Sequence, residues 1–278
     1  MDWKIVADSS CDYYKLEDND AGINFESVPF VMSIDGIDYV DTENLKVSDL
    51  IKAMEECKET SLTSCPSPDK WYNAFGTEKN VIAITISSNL SGSYNSACVA
   101  KDMVLEEEPD RNIEILDSLS TGPEMCLVVR KLQELIGQGL EFDEVVKKIK
   151  IYMKTVHTVF ALASFDNLVR NGRIPKIAGL VAGKLKLWGI GIGSETGTIE
   201  VKKITRGTKR VIDTIIDDIK TRSENCKSVI IAHCENEELA EKIKEKINEV
   251  FSNIDIKIMP TRGLCSYYAE KSGIIVGF

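Results

Sequence analysis

Short runs of apolar, mostly β-branched residues alternate along the first half of the chain with longer segments whose apolar residues recur every three or four positions. Runs of the first kind predict buried strands, and segments of the second kind predict helices. In chain order these are a strand at 4–7, a strand beginning at Val81, a helix at 94–105, a strand at 113–116, and helices at 125–138 and 142–155. Such alternation is typical of a parallel sheet between two layers of helices.

Smaller elements are predicted between the first two of these strands. Asp35-Gly36, flanked by apolar residues, is a strong hairpin signal and places an inserted hairpin near 28–41. Ser48 is expected to cap the helix that follows the hairpin. The segment containing Thr63-Ser64 is expected to be a loop.

Beyond about residue 155 the pattern includes more strands. It predicts a strand at 156–163, a short helix closed by Asn171-Gly172, a small apolar helix at 177–183, a hairpin of 185–193 with 198–204, a helix at 208–220, a strand at 228–232, a helix at 237–250, a strand at 254–259, a loop, and a last strand at 273–278. We therefore predict an α/β protein of two domains with the ligand between them. An N-terminal three-layer domain with a parallel sheet is expected at 1–155, and a C-terminal α/β domain with a mixed sheet at 156–278.

Hydroxyl and carboxyl side chains collect where predicted strands end and the next helices begin. The clusters are Asp8-Ser9-Ser10, the serines of 87–93, Asp117-Ser118, and Thr63-Ser64 just before Pro66. In a parallel α/β sheet, ligands bind beyond the carboxyl ends of the strands, where N–H groups of helix N-termini are free. The clusters therefore predict an anion-binding site. Simple helix capping is the alternative for each cluster taken singly.

Composition excludes several classes of function. The net charge is −10 and the pI is near 4.9, and no stripe of Lys and Arg is visible, so nucleic acid is not an expected partner. No apolar stretch approaches the roughly 20 residues of a membrane-spanning helix, and the N-terminus shows no export signal. We therefore expect no integral membrane segment and a cytoplasmic location. The eight cysteines form no Cys-x-x-Cys pair and histidines number only two, which argues against a zinc site.

Several segments, in this order, resemble the motifs of the DegV family over essentially the whole chain. They are Asp8-Ser9-Ser10, 63–68, 87–94, Asp117-Ser118, the segment from Phe165 to Ile174, and the terminal segment 273–278. The resemblance implies a bacterial fatty-acid-binding protein that is a carrier, not an enzyme, and that needs no cofactor or metal. It also implies that the carboxylate lies between the domains, that the acyl tail lies in a tunnel of the second domain, and that a separate fatty acid kinase makes an acyl phosphate from the bound acid.

By the same resemblance, hydroxyl groups are expected to hold the carboxylate of the long-chain fatty acid. These belong to Thr63, Ser64 and Ser91, with Ser88 in the same serine-rich loop as Ser91. Arg173 is expected to be a nearby basic group.

Two positions depart from the family pattern. Cys65 stands where the family often has glutamine, and residues 268–272 (Tyr-Ala-Glu-Lys-Ser) replace the usual C-terminal His-x-Gly-Pro-Gly. Tyr268 can donate one hydrogen bond but, unlike histidine, carries no switchable charge near neutral pH. We expect Tyr268 to replace the histidine as a head-group donor. The alternative is that Tyr268 packs between the domains while Arg173 or Arg262 supplies the charge.

The lining of the tunnel and the class of function each have an alternative. The apolar segment 177–182, with Leu185, Leu187, Trp188, Ile190 and Ile192, is a candidate lining, and ordinary core is its alternative. The alternative function is a hydrolase or a phosphate-ligand enzyme that uses the serine-rich loop. Neither a Gly-x-Ser-x-Gly elbow nor a Gly-x-x-x-x-Gly-Lys loop is present to support it.

Overall fold

The computed structural model of the chain describes residues 2–17, 19, 21–175, 187–223 and 226–278. In the first half its elements are β1 (Trp3–Asp8), β2 (Asn24–Val28), β3 (Val31–Ile34), β4 (Ile37–Val40), α1 (Val47–Glu56), β5 (Ser61–Ser64), α2 (Pro68–Ala74), β6 (Asn80–Thr85), α3 (Ser93–Glu107), β7 (Asn112–Asp117), α4 (Pro123–Gly137) and α5 (Phe142–Tyr152). The second half continues with β8 (Thr158–Leu162), α6 (Asp166–Arg170), β9 (Leu187–Gly193), β10 (Ile199–Arg206), α7 (Thr208–Arg222), β11 (Ser228–His233), α8 (Glu237–Val250), β12 (Asp255–Pro260), α9 (Gly263–Ala269) and β13 (Ile274–Gly277). The helix predicted at 177–183 lies outside the described residues.

Strands β2, β1, β6 and β7 form, in that order, a sheet in which all neighbours are parallel. Strand β1 is buried along its whole length because helices cover both faces of the sheet. Ile5 and Ala7 face a core that they share with α4 and α5, whereas Val6 points to the other face and packs with residues of α2 and α3. The predicted three-layer parallel sheet is therefore confirmed.

A smaller antiparallel sheet has β3 between β4 and β5. The predicted hairpin is present, since β3 and β4 are joined by Asp35 and Gly36 with φ of 48° and 81°. Two successive residues with positive φ are what a tight type I′ turn requires, and glycine adopts this conformation without strain. The carboxylate of Asp35 also accepts the N–H groups of residues 58–60, which ties the turn to the segment entering β5.

Two expectations for this region are wrong. Thr63-Ser64 is not a loop but the end of strand β5, which pairs with β3. With only four residues, β5 is too short for periodicity to distinguish it from a loop. Ser48 does not cap α1, because the helix begins at Val47 and Ser48 lies within it, and the cap residue, Lys46, makes no side-chain cap hydrogen bond. Packing of Leu50 and Ile51 in the core holds this helix instead.

The second half forms a mixed sheet of six strands in the order β10-β9-β8-β13-β11-β12. Strands β11 and β12 are parallel, and the other neighbouring pairs are antiparallel. The last strand, β13, lies inside the sheet between β8 and β11 and is fully buried. The predicted mixed sheet is confirmed. The division into domains at 1–155 and 156–278 stays a prediction.

The loop expected before β13 is instead the helix α9. Every residue of α9 except Tyr268 is buried. A helix that is buried nearly all round shows no alternation of polar and apolar faces, so the sequence carries no amphipathic signal for it.

The two faces of the mixed sheet pack against different parts of the molecule. Val159 and Ala161 of β8 face a core shared with α7 and α8. Phe160 and Leu162, which alternate with them, belong to a core that also contains Ile51 of α1. This second face, the inward face, is therefore turned toward the first half of the chain.

A buried glutamate joins the two halves at the inward face. Glu124, in the first turn of α4, accepts hydrogen bonds from the hydroxyls of Ser120 (2.7 Å) and Thr158 (2.6 Å). Helix α4 can approach β13 closely because residue 277 is glycine, where a Cβ would lie 2.6 Å from the backbone nitrogen of Glu124. Burial raises the pKa of Glu124 to about 7, although both hydroxyl bonds act to lower it.

We expect Glu124→Gln to stabilise the fold above neutral pH. The pKa of this carboxyl is about 7 in the folded protein and 4.5 as its ordinary value, so its ionisation costs no stability below about pH 4.5. The cost grows between about pH 4.5 and 7, where the carboxyl is ionised in the unfolded chain but still protonated in the folded one, and it stays constant at higher pH. The amide keeps an acceptor for both hydroxyls and does not ionise.

Urea unfolding of the variant and the parent from about pH 5 to 8 measures this effect. The free energy of unfolding of the variant should gain on that of the parent by up to about 3 kcal/mol over this range. A difference between the two proteins that stays constant with pH would contradict the raised pKa.

Candidate ligand-binding site

A cavity of about 330 Å³ lies where β5, the start of α3, the segment after α6, and α9 meet. Its size is within the range of about 300–1,000 Å³ that is usual for small-molecule pockets. We call it the polar cavity because its wall includes hydroxyls, a thiol and a guanidinium. It is lined by Thr63, Ser64, Cys65, Ser91, Gly92, Thr121 and Arg173, and by the mostly apolar side chains of Phe30, Ile86, Leu90, Leu168, Ile199, Leu264, Cys265, Tyr268 and Ile275.

A second cavity of about 60 Å³, the apolar cavity, adjoins the first on the inward face of the mixed sheet. The two cavities share the lining residues Leu90, Thr121, Leu168, Ile199, Tyr268 and Ile275. The apolar cavity alone is lined by Leu119, Ser120, Thr158, Phe160, Leu162, Gly193, Gly197, Thr198 and Ala269, and the surface they expose to it is apolar. The two cavities therefore adjoin each other across a common wall, and one is lined in part by polar groups while the other is apolar.

A buried carboxylate holds together the loops at the carboxyl ends of the parallel strands. Asp8, the last residue of β1, accepts hydrogen bonds from the hydroxyls of Ser10 and Ser93 and from the backbone N–H of Ile86. Burial raises the pKa of Asp8, while these donors lower it. The first hydroxyl cluster of the sequence thus fixes the loops and does not line either cavity.

The serine-rich loop after β6 is fixed in a similar way. Asp117, the last residue of β7, accepts the backbone N–H groups of Ser88 (3.0 Å) and Leu119 (3.1 Å). The side chain of Ser88 is exposed and is not among the residues that line the cavities. Among the described residues, the cap residues of α2, α3 and α4 make no side-chain cap hydrogen bond, so capping does not account for the clusters as a group.

The turn between β9 and β10 closes the apolar cavity against the same loop. The hydroxyl of Ser87 donates to the carbonyl oxygen of Gly197 (2.7 Å), and the amide of Asn89 donates to that of Thr196 (2.6 Å). This part of the serine-rich loop therefore joins the two halves of the chain.

Helix α3 begins at the edge of the polar cavity. Gly92 occupies its cap position, and the hydroxyl of the preceding Ser91 accepts the N–H of Ser93 at 3.3 Å. Cys65 lies close by, since a Cβ on Gly92 would be 3.5 Å from its sulfur. The free N–H groups of a first helical turn carry partial positive charge, so this end of the cavity suits an anion.

Arg173 reaches the polar cavity from the second half of the chain. Gly172, with φ of 73°, turns the chain at the end of α6, as the Asn-Gly stop predicted. The guanidinium of Arg173 donates to the carbonyl oxygens of Leu90 (3.1 Å, from Nε) and Asn171. Because a guanidinium has five N–H donors, these two bonds within the described chain leave donors for a ligand.

Tyr268 lies at the junction of the two cavities and lines both. Its hydroxyl is 2.7 Å from that of Thr63, so two of the predicted ligand-binding residues are bonded to each other. Burial raises the pKa of Tyr268, which keeps the phenol neutral at physiological pH. Tyr268 thus packs between the halves of the chain, and its role as a head-group donor stays a prediction.

The position of α9, and with it Tyr268, depends on Arg262. The side chain of Arg262 is only 2% exposed and donates to the carbonyl oxygens of Tyr13 (2.6 Å) and Asp41 (2.7 Å) in the first half of the chain. The carboxylate of Asp41 accepts the first two N–H groups of α9. Arg262 is not among the residues that line the cavities, so it positions the helix, and Arg173 is the cationic side chain among the described residues that line the polar cavity.

Sequence reasoning missed several residues of this site. Thr121, which follows the cluster at Asp117-Ser118, and Cys265 line the polar cavity but are not among the predicted ligand-binding residues. Leu168 and Ile199, which line both cavities, are also absent from that prediction. These residues come from separate elements, and only the packing of the two halves brings them together.

A larger groove of about 610 Å³ is a weaker candidate. Its charged residues already form ion pairs, Arg130 with Asp255 at 2.5 Å and Lys257 with Glu17 at 2.6 Å. The polar cavity, where Arg173 bonds only backbone carbonyls among the described residues, is better suited to an anionic ligand.

Comparison with known proteins agrees with this geometry. A family model described as "Uncharacterised protein, DegV family" matches residues 2–277. The chain belongs to the DegV family. A DegV domain-containing protein of Streptococcus pneumoniae is 41% identical over 278 residues, which is 100% of this chain and 99% of that protein. One from Streptococcus pyogenes is 40% identical with the same coverage.

Solved structures similar to this DegV protein contain fatty acids. The crystal structure of the Streptococcus pneumoniae Fatty Acid Kinase (Fak) B3 protein loaded with linoleic acid is 41% identical, with a TM-score of 0.97 over 100% of this chain and 99% of that one. A DegV family protein from Eubacterium eligens loaded with heptadecanoic acid is 35% identical, with a TM-score of 0.95 over 99% and 98%. One from Ruminococcus gnavus, refined with vaccenic acid, is 31% identical, with a TM-score of 0.92 over 100% of both chains.

Two further observations concern the described part of the DegV chain. Within it, no group of three or more His, Cys, Asp or Glu side chains is placed to hold a metal ion. Within the same residues, no helix has the length and apolar character needed to cross a membrane.

Proposed function

We propose that this DegV protein binds a long-chain fatty acid and presents its carboxylate to a separate fatty acid kinase, which forms an acyl phosphate. The carboxylate would lie at the hydroxyls and Arg173 of the polar cavity, and the acyl tail would run from there along the apolar side chains of both cavities. The observation that carries the proposal is the pair of adjoining cavities, one partly polar and the other apolar, because a fatty acid is divided into polar and apolar ends in the same way. The fatty acids in three similar structures support it.

The head group would be held by donors from both halves of the chain. The first half supplies the hydroxyls of Thr63, Ser64 and Ser91 and the N–H groups at the start of α3, and the second half supplies Arg173 and Tyr268. Hydrogen bonds to a charged acceptor contribute roughly 1.5–3 kcal/mol each. The bound carboxylate would therefore also link the two halves.

The tail would supply most of the affinity. Each buried methylene contributes roughly 0.8 kcal/mol, so a tail of about fourteen contributes on the order of 11 kcal/mol, against association costs of about 4–15 kcal/mol. The head-group bonds then orient the acid and add the remaining affinity.

The lining of the cavities favours a carrier over a hydrolase. Among the described residues that line them there is no histidine and no carboxylate, so the serines have no general base beside them. The kinase partner is supported by the name of the Streptococcus pneumoniae relative, the Fatty Acid Kinase (Fak) B3 protein. The proposal also includes the cytoplasmic location that the sequence predicts.

The purified protein is expected to contain a long-chain fatty acid in about a one-to-one ratio. Mass spectrometry of the freshly purified, denatured protein measures this directly. Titration of the delipidated protein with palmitate and oleate is the complementary measurement. Recovery of no acyl lipid together with no binding in the titration would refute the proposed function.

Two serines of one loop provide a matched pair for the head-group site. Ser91→Ala is expected to weaken fatty-acid binding roughly tenfold to a hundredfold, the effect of one lost hydrogen bond to a charged acceptor. Ser88→Ala should leave the affinity unchanged, because that side chain is exposed and outside the cavity lining. Equal affinities in all three proteins would place the carboxylate elsewhere.

Tyr268→Phe tests the role of the phenol hydroxyl. We expect a loss of roughly tenfold or more, because the variant removes one donor and keeps the ring that separates the cavities. In the parent, affinity should stay nearly flat between about pH 5.5 and 8, since the raised pKa keeps the phenol neutral.

Arg173→Gln, measured in the same titration, is the companion variant and should also lose affinity because it removes the cation at the polar cavity. If Tyr268→Phe binds as tightly as the parent while Arg173→Gln binds weakly, the tyrosine only packs and the arginine supplies the head-group contact.

A further inference from the structure

Strand β9 has glycine at three alternating positions, 189, 191 and 193. Gly189 pairs with Leu162 and Gly191 with Phe160, the two β8 residues of the inward face. Because alternate residues of a strand point to the same side, all three glycines belong to the inward face. They leave a strip of bare backbone there.

Aromatic rings fill the space beside two of these glycines. A Cβ on Gly189 would lie 2.0 Å from a ring carbon of Phe165, and a Cβ on Gly191 would lie 2.3 Å from a ring carbon of Phe160. The two rings contact each other edge to face with centroids 6.4 Å apart. At these positions glycine is needed for the packing of the core itself.

Gly193 is not covered in this way. Among the described residues, the one atom within 4 Å of its Cβ position is the Cβ of Thr158, at 3.7 Å, which is an ordinary contact. Gly193 is also not among the residues with positive φ, so its backbone conformation does not require glycine. Gly193 lines the apolar cavity and not the polar one. Because it has no side chain, it leaves room at the apolar end.

The wall at this end is held firmly. Arg222 donates hydrogen bonds to the carbonyl oxygens of Thr158 (3.1 Å) and Gly193 (3.3 Å) and so clamps the start of β8 to the end of β9. The hydroxyl of Thr158 is held in turn by the buried Glu124. A side chain added at residue 193 would therefore project into the apolar cavity from a backbone that these hydrogen bonds hold in place.

We infer that Gly193 sets the length of the acyl chain that the protein accepts, with the methyl end of the chain resting against Gly193 and Thr158. This inference rests on the proposed function and identifies the residue that makes the site selective. A side chain at residue 193 shortens the space from its apolar end. The hydroxyls and Arg173, at the polar end, stay as they are.

The test compares the parent with Gly193→Ala and Gly193→Val in titrations with laurate, myristate, palmitate and stearate. The parent should bind more tightly as the acid lengthens until the cavity is full. In the variants the shortest acids should keep the affinity of the parent. The longer acids should lose about fourfold for each methylene that no longer fits, with a larger loss for valine than for alanine.

Gly137→Ala is the matched control. Gly137 ends α4, where an added Cβ meets only the Cβ of Ala21, at 4.0 Å among the described residues, and it lines neither cavity. This variant should reproduce the chain-length profile of the parent. Thermal unfolding of all the variants checks that they fold. If Gly193→Val does not fold, the result for Gly193→Ala decides the question.

The possible failures are distinguishable. An unchanged chain-length profile in the folded Gly193 variants, or an equal loss for every acid, overturns the role of Gly193 while leaving fatty-acid binding intact. A parent protein that binds none of the four acids overturns the proposed function and this inference with it.

Discussion

A buried ion pair between Arg262 and Asp41 is the constraint on which the geometry of the site depends. Taking both charges out of water is costly, and the Nε of Arg262 is 3.7 Å from the nearer carboxylate oxygen, which is longer than a hydrogen bond. The cost is offset by the carbonyl oxygens that the guanidinium bonds and by the two N–H groups of α9 that Asp41 accepts. These bonds join the end of β12 to the small sheet, and they fix where α9 begins.

Asp12 completes this buried cluster. It accepts the backbone N–H of Arg262 at 2.7 Å, and burial raises its pKa to about 7. Burial also raises the pKa of Asp41, while the neighbouring Arg262 and the N–H donors of α9 act to lower it. Loss of the arginine would leave Asp41 uncompensated in the interior, a change that typically costs about 3–5 kcal/mol. The placement of Tyr268 at the site is thus linked to the stability of the whole fold.

The polar and apolar ends of the space arise from different structural means. At the polar end, the acidic residues that end β1 and β7 hold the loops, and the loops then present Ser91 and the first turn of α3. At the apolar end, the space comes from a missing side chain at Gly193, next to a backbone clamped by Arg222. Residues that look equivalent in a motif therefore have different roles. Ser87 joins the two halves of the chain, whereas Ser91 lines the polar cavity.

The sequence by itself determined the class of fold and the identity of most candidate residues. Local patterns specify the parallel sheet, its helices and the Asp35-Gly36 hairpin, because burial on both sheet faces and a positive-φ turn each demand particular residues at short range. The family resemblance supplied Thr63, Ser64, Ser91, Arg173 and Tyr268, which the structure brings to one cavity. Only the tertiary structure decided that Thr63 lies on a strand, that α9 is a helix, and that Ser88 points away. These features depend on contacts between residues far apart in the chain, such as β5 with β3 and Arg262 with Asp41, and such contacts leave no periodic trace in the sequence.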